Sequence, residues 1–532
     1  MALNKKTAGR IANRALITFA VGALPMSVLA SEITLTSDDG TVNLVGEFLE
    51  FKDDAYAIRT GLGDLWVAAS KVRCDGDACP VIHTVPAADI VTTDIQIAGS
   101  DAVGLGMMPK LISGLATHLN VKASVAADQT DGVMLTSLVS DGVIGNYHVT
   151  STSSGDAFAT LLDGTAQFGM SSRRIRPEEV TALRDSGAGN MIAPGQEHII
   201  AVDSLVVITH PDNTVQQISL EQLRDVYSGK ITNWSELGGD DAPIAVIGRE
   251  AGSGTRDVFE ARIFGDDEPT LVDGAMIVDD NNKVAAQVNA DPTAIGFVGY
   301  AFQQDAKPLT LINECGMAMT PDAFSAKTEE YALQRRLYLY NRDEVLDASA
   351  QSFVDFVVSQ DADAAITASG FIDLGINRRA QPADSARALE LIDHSGDDFE
   401  NGVIAQMLEQ MDGFDRLSTT FRFNTGSSRL DERGAADMAR LADYLATQPD
   451  GTKVRFVGFT DGVGLFTNNH VLSQGRATQM MAELQEFAGE RLATLEMDAS
   501  GFGELAPTAC NISEDGRAIN RRVEVWIESI KS

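Results

Sequence analysis

The chain has 532 residues, more than one hydrophobic core accommodates, so two to four domains are expected. A formal net charge of −35 argues against nucleic acid and acidic lipid surfaces as partners, but not against a small anion held by backbone N–H groups and one or two arginines. Apolar residues make up 44 % and charged residues 22 %, an ordinary balance for a folded protein, and no run of about 20 apolar residues follows the N-terminus, so no transmembrane helix is expected in the mature chain.

Residues 1–30 read as a secretory signal. Lys5, Lys6, Arg10 and Arg14 precede the apolar stretch from Ala15 to Leu24, and Val28-Leu29-Ala30 stands before a cut ahead of Ser31. Residues 31–87 form a small β module, with apolar stretches at 42–51, 55–58 and 65–72 broken by Asp53-Asp54, Gly61 and Gly63. Residues 88–376 alternate short apolar runs with helical periodicity, an α/β pattern. Ser219 and Gln222 make a capping box for a helix that Gly229 ends. Residues 377–415 are expected to be a polar linker near Arg379 to Ala386 and one helix from Ala388 to Met411. Residues 416–532 read as strand, helix, strand, helix, strand, strand. In an exported, oxidised setting the four cysteines favour disulfides: Cys74 with Cys79 closes a short loop, and Cys315 with Cys510 would then staple two domains. Seven histidines and no paired CxxC spacing leave little basis for a metal, and no cofactor is expected.

The sharpest segment of the middle domain is Arg249-Glu250-Ala251-Gly252-Ser253-Gly254-Thr255-Arg256, which follows a strand and opens a helix. Its turn leaves N–H groups at a positive helix end, two hydroxyls add donors, and Arg249 offers a charged fork to a tetrahedral oxyanion. Gly99-Ser100-Asp101 follows a strand and precedes a helical run, the Ser151–Gly155 segment also precedes a helical run, and Ser171-Ser172-Arg173-Arg174 follows the apolar Phe168-Gly169-Met170; each can present hydroxyls from a strand end.

Together with Leu223-Arg224-Asp225-Val226-Tyr227-Ser228-Gly229-Lys230-Ile231-Thr232-Asn233-Trp234 and Ala294-Ile295-Gly296-Phe297-Val298-Gly299-Tyr300, these segments resemble the phosphate-binding proteins of ABC importers. The resemblance implies a two-lobed fold closing on one phosphate, with Ser100, Asp101, Ser153, Ser172, Arg173, Arg249, Ser253, Gly254 and Thr255 at the site. Two positions depart from the family pattern. Ala102 stands where a hydroxyl residue is common, and Ser172 stands where the best-known transporters carry Asp. A carboxylate accepts the proton of hydrogen phosphate and repels sulfate, and Asp101 is a candidate for that part.

Near the C-terminus, Gly458-Phe459-Thr460-Asp461-Gly462-Val463-Gly464, the segment from Asn469 to Ala477 and Asn520-Arg521-Arg522-Val523-Glu524 resemble the OmpA-like peptidoglycan-binding domain. The resemblance implies that Asp461 takes the ammonium and Arg476 the carboxylate of a diaminopimelate stem, with Thr460, Asn469, Leu472 and Arg522 in or beside the pocket. Phe459 replaces the usual His, which is expected to alter the pocket edge. The chain is thus read as a multidomain α/β protein: a small N-terminal β module, a two-lobed periplasmic-binding-protein fold and a C-terminal α+β OmpA-like domain. Its expected place is the periplasm, at the cell wall or outer membrane, and its expected partners are phosphate, peptidoglycan and ABC importer subunits. It is expected to be no enzyme; a wall-anchored sensor, a structural wall linker and a phosphatase on the same fold are the alternatives.

Overall fold

The computed structural model describes residues 32–530 except 38–42, 53–54, 62, 69–71, 77–78, 80–92, 127–132, 141, 266–270, 395 and 424–431. The expected signal and the expected cut ahead of Ser31 lie outside the described residues. The chain divides into two compact units at residues 90 and 91.

The first unit is a five-stranded antiparallel sheet in the order Gly63–Ala68, Ala55–Thr60, Asn43–Lys52, Glu32–Ser37, Val72–Asp75. The alternation of its strands buries Ile33, Leu35, Tyr56 and Ile58 on one face. The Cys74–Cys79 disulfide is present.

The second unit holds a large mixed sheet split between two lobes. In the first lobe, Thr93–Ser100 lies parallel to Val143–Thr152 and to Phe168–Ser171. In the second, Ala245–Arg249 lies parallel to Ala294–Gly299 and to Met276–Val278. Two antiparallel strands, Glu197–Thr209 and Gln334–Asn341, carry the chain between the lobes. The first half of Glu197–Thr209 pairs with Gln334–Asn341, and its second half pairs with Ala294–Gly299. Strands buried on both faces need unbroken apolar runs, which Leu205–Ile208 and Ala294–Gly299 supply. The Ser219/Gln222 capping box is formed, and Gly229 has φ +77° past the helix end, as the sequence predicts.

The C-terminal part is a five-stranded sheet in the order Arg378–Ala380, Phe414–Arg422, Arg522–Glu528, Lys453–Gly458, Glu496–Gly501. Helices Glu432–Ala446 and Phe466–Ala488 cover one face through Leu441, Leu445, Ala477, Met480 and Leu484. Three sequence expectations change. The expected linker is a structured edge strand, Arg378–Ala380, tied to the lobes where Arg379 donates to Asp322. The single helix of 388–411 is two, Ala386–Asp393 and Asp398–Met411, because Gly396 and the N-cap Asp397 interrupt it. A short helix, Glu514–Asn520, precedes the last strand. Cys315 and Cys510 are bonded, joining the second lobe to the C-terminal domain.

Candidate functional site

Each strand-end motif of the two lobes leads into a helix. Ser153 caps Ser154–Asp163, its Oγ accepting the Asp156 N–H at 3.2 Å and donating to the Asp156 carboxylate at 2.9 Å. Ser253 caps Gly254–Ile263 in the same way, accepting the Arg256 N–H. Asp101 precedes the wide helical turn Ala102–Met107 that continues into Met108–His118. A fourth helix, Asn281–Ala290, begins beside them: its Asn281 N–H and Nδ2 both donate to Asp101 Oδ2, at 3.4 and 2.9 Å. Four positive helix ends therefore face one small region.

Glycines let the loops close. The Gly155 N–H donates to the Gly252 carbonyl at 3.4 Å. A Cβ on Gly254 would stand 2.2 Å from Ser154 Oγ and 2.5 Å from Ser172 Oγ. The Ser172 N–H donates to Ser154 Oγ, and their hydroxyls lie 3.2 Å apart. The lobes thus meet through Ser154 and Ser172 on one side and Gly254 on the other.

Arg249 is 1 % exposed. Its Nη2 donates to the Asp279 carbonyl at 2.7 Å and lies 3.3 Å from Asp101 Oδ2. Its Nε and Nη1, together with Ser100 Oγ, are buried and have no hydrogen-bond partner among the described residues. Buried donors are nearly always satisfied, so three unsatisfied ones at converging helix ends mark a place built for an acceptor-rich group. Thr255 Oγ1 accepts from Arg335 Nη1 at 2.8 Å, which leaves its own proton available to donate; Arg335 is fixed in turn by the fully buried Asp203. Burial raises the pKa of the Glu250 carboxyl; Arg249 opposes that shift, and Asp279, Asp101 and Asp156 reinforce it. The site is rimmed by carboxylates although its floor is made of donors.

Arg173 does not fit the expectation made for it. Its guanidinium is committed to Glu179 and Asp257 and lies 5.0 Å from the Phe158 ring centre, so it braces the loop from behind. Asn281, Ser154, Asp203 and Arg335 were not singled out in the sequence. Ser154 adjoins a chosen residue, but only the fold brings the other three to the site.

In the C-terminal domain, the strand Lys453–Gly458 delivers Thr460 and Asp461 to a loop beside the helix Phe466–Ala488, which carries Asn469 and Arg476. Asn469 Nδ2 holds the loop through the Asp461 and Val463 carbonyls and Glu504. Arg476 is buried over the Phe423 ring; burial and then Arg521 lower its pKa, against Asp461. Arg521, rather than Arg522, reaches Asp461, at 2.9 Å. Arg522 is fully buried on Glu524, its guanidinium 4.0 Å from the Phe459 ring centre. Phe459 itself is buried between Arg387 and Arg522, so it belongs to the core and not to a pocket edge. In the sequence the adjacent pair Arg521-Arg522 gives no sign of which member turns inward. Leu472 is exposed. Among the described residues no group of His, Cys, Asp or Glu is placed to hold a metal, and no helix is long and apolar enough to cross a membrane.

Residues 92–361, which include every residue of the first site, match the family described as PBP superfamily domain. The chain belongs to the PBP superfamily. Residues 422–521 match the OmpA family, so the PBP-superfamily domain is followed by an OmpA-family domain. The phosphate-binding protein PstS of Bacillus subtilis (strain 168) is 30 % identical over 194 residues, which are 36 % of this chain and 62 % of that protein, under two thirds of its length. The PstS of Borreliella burgdorferi is 25 % identical over 221 residues, 40 % of this chain and 75 % of that one. Among solved structures, an ABC-type phosphate transport receptor from Vibrio cholerae is 24 % identical with a TM-score of 0.39, covering 52 % of this chain and 99 % of that chain.

Proposed function

We propose that this protein is a phosphate receptor held to the cell wall, serving phosphate uptake through an ABC importer. The carrying observation is the buried set of unsatisfied donors on Ser100 and Arg249 where four helix ends converge. The relatives' description as phosphate-binding proteins supports phosphate as the occupant. The ligand set is Ser100, Asp101, Ser153, Ser172, Arg249, Ser253, Gly254 and Thr255, without Arg173. Asp101 supplies the carboxylate that Ser172 lacks, held in place by Asn281 and Arg249. It accepts the proton of hydrogen phosphate, and an aprotic oxyanion meets it as repulsion. Isothermal titration of the mature protein is expected to show phosphate bound and sulfate rejected. Asp101→Asn is expected to narrow that preference by about tenfold. Sulfate bound as well as phosphate by the native protein would refute the assignment.

The wall reading rests on Asp461 and Arg476 flanking one loop, as cation and anion partners for a zwitterion. Asp461→Ala is expected to abolish pull-down of the protein by purified peptidoglycan; undiminished pull-down would refute the clamp. The finer location, at the wall or outer membrane of an exporting cell, follows from this reading and the N-terminal signal.

A further inference from the structure

Polar contacts, joined at two points by neighbouring residues of the backbone, connect the Asp461 loop with the anion site. Asp461 pairs with Arg521 at 2.9 Å. Arg521 Nε donates to the Phe423 carbonyl, and the two residues exchange a backbone bond, Phe423 N–H to Arg521 O. The preceding residue, Arg422, spans the two domains: its Nε pairs with Glu329 at 2.9 Å and one terminal nitrogen donates to the Thr328 carbonyl, while the other donates back to the Ile519 carbonyl of the OmpA-family domain. Glu329 also pairs with Arg336 at 3.4 Å. Arg336 lies on the strand Gln334–Asn341 that crosses between the lobes, and strand alternation sends its neighbour Arg335 to the opposite side, onto Thr255 and Asp203. Glu329 has φ +60°, a conformation uncommon for a residue with a side chain. Its carboxylate is gripped by one arginine from each domain. Arg336 further pairs with Asp437 of the helix Glu432–Ala446. The crossing strand is therefore held from the anion side by Thr255 and from the other side by the C-terminal domain.

We propose that Glu329 couples the two sites, so that a zwitterion bound at Asp461 changes the affinity of the lobes for phosphate; the inference rests on the ligand reading given above for both. An ammonium at Asp461 competes with Arg521 for the same carboxylate, which alters the hold of Arg521 on Phe423 and so the position of Arg422. Lobe opening moves the crossing strand and with it Arg336, so each ligand biases one shared element. Coupling of this kind is reciprocal.

The test is titration of the mature full chain with inorganic phosphate, alone and with saturating meso-diaminopimelate, and the converse pair. Each ligand is expected to change the other's Kd by the same factor, about fivefold or more. Glu329→Gln and, separately, Arg422→Gln are expected to bring that factor to within about twofold of unity, each ligand alone binding as before. If both ligands bind and neither changes the other's Kd, or if both variants keep the native factor, the coupling is overturned while the two sites stand. Failure of either ligand alone to bind the native chain overturns the underlying reading, and the coupling with it.

Discussion

Burial alone would raise the pKa of the Glu524 carboxyl, but the guanidiniums of Arg387, Arg416 and Arg522 outweigh it and hold the group well below the usual carboxylate range. Arg522 is the reverse case: burial, only partly offset by Glu524, lowers it to about 10. The Glu524 oxygens also accept from Trp526 and Arg387, so the whole interior cluster turns on one carboxylate. Unfolded, this group titrates near about 4.3, above its folded value. Its contribution is therefore complete above that pH and is lost as pH falls toward the folded pKa. Glu524→Gln leaves buried arginines uncompensated and is expected to cost about 3–5 kcal/mol at neutral pH. Thermal melts at pH 7 and pH 3 check this: the gap between native and variant should shrink at the lower pH. A gap that is constant with pH would show that the loss comes from packing and not from charge.

At the scale of elements, the anion site depends on how closely helix Gly254–Ile263 approaches helix Ser154–Asp163 and the end of strand Phe168–Ser171. A Cβ on Gly254 would also stand 2.9 Å from Ser154 Cβ, which no rotamer change moves, so Gly254→Ala must push the lobes apart. Phosphate affinity is expected to fall more than tenfold with the circular dichroism spectrum unchanged; titration of the folded variant checks it. The strand-to-helix turns at Ser100, Ser153 and Ser253 were legible because strand, cap residue and helix are contiguous in sequence. What escaped was long-range. Asn281 meets Asp101 across 180 residues, and Arg335 meets Thr255 across 80, so no local pattern announces either. Arg173 resembled a ligand because a basic residue beside a serine loop reads the same whether it faces the site or Glu179. The segment around Arg379 looked like a linker because its polar residues and Pro382 suit both a loop and a short edge strand.

Over the whole molecule, the two domains of the second unit are joined by contacts far apart in sequence: Arg416 with Glu330, Arg422 with Glu329, Arg336 with Asp437 and Arg379 with Asp322, besides the disulfide. The disulfide links residues 195 apart in sequence, and closing so long a loop restricts the unfolded chain by about 5 kcal/mol in the chain-entropy view. Cys315→Ser combined with Cys510→Ser is expected to split one calorimetric transition into two, with the OmpA-family domain melting apart from the lobes. A single transition at the native temperature would show that the ion pairs suffice. The same bond makes a covalent ring of everything from Cys315 to Cys510, which takes in the crossing strand and most of the OmpA-family domain. A protease that cuts once anywhere inside that ring leaves both fragments bonded to each other. On the wall-held reading proposed above, a single cut inside the ring sheds nothing; release through it needs a second cut there, or a cut and a reductant.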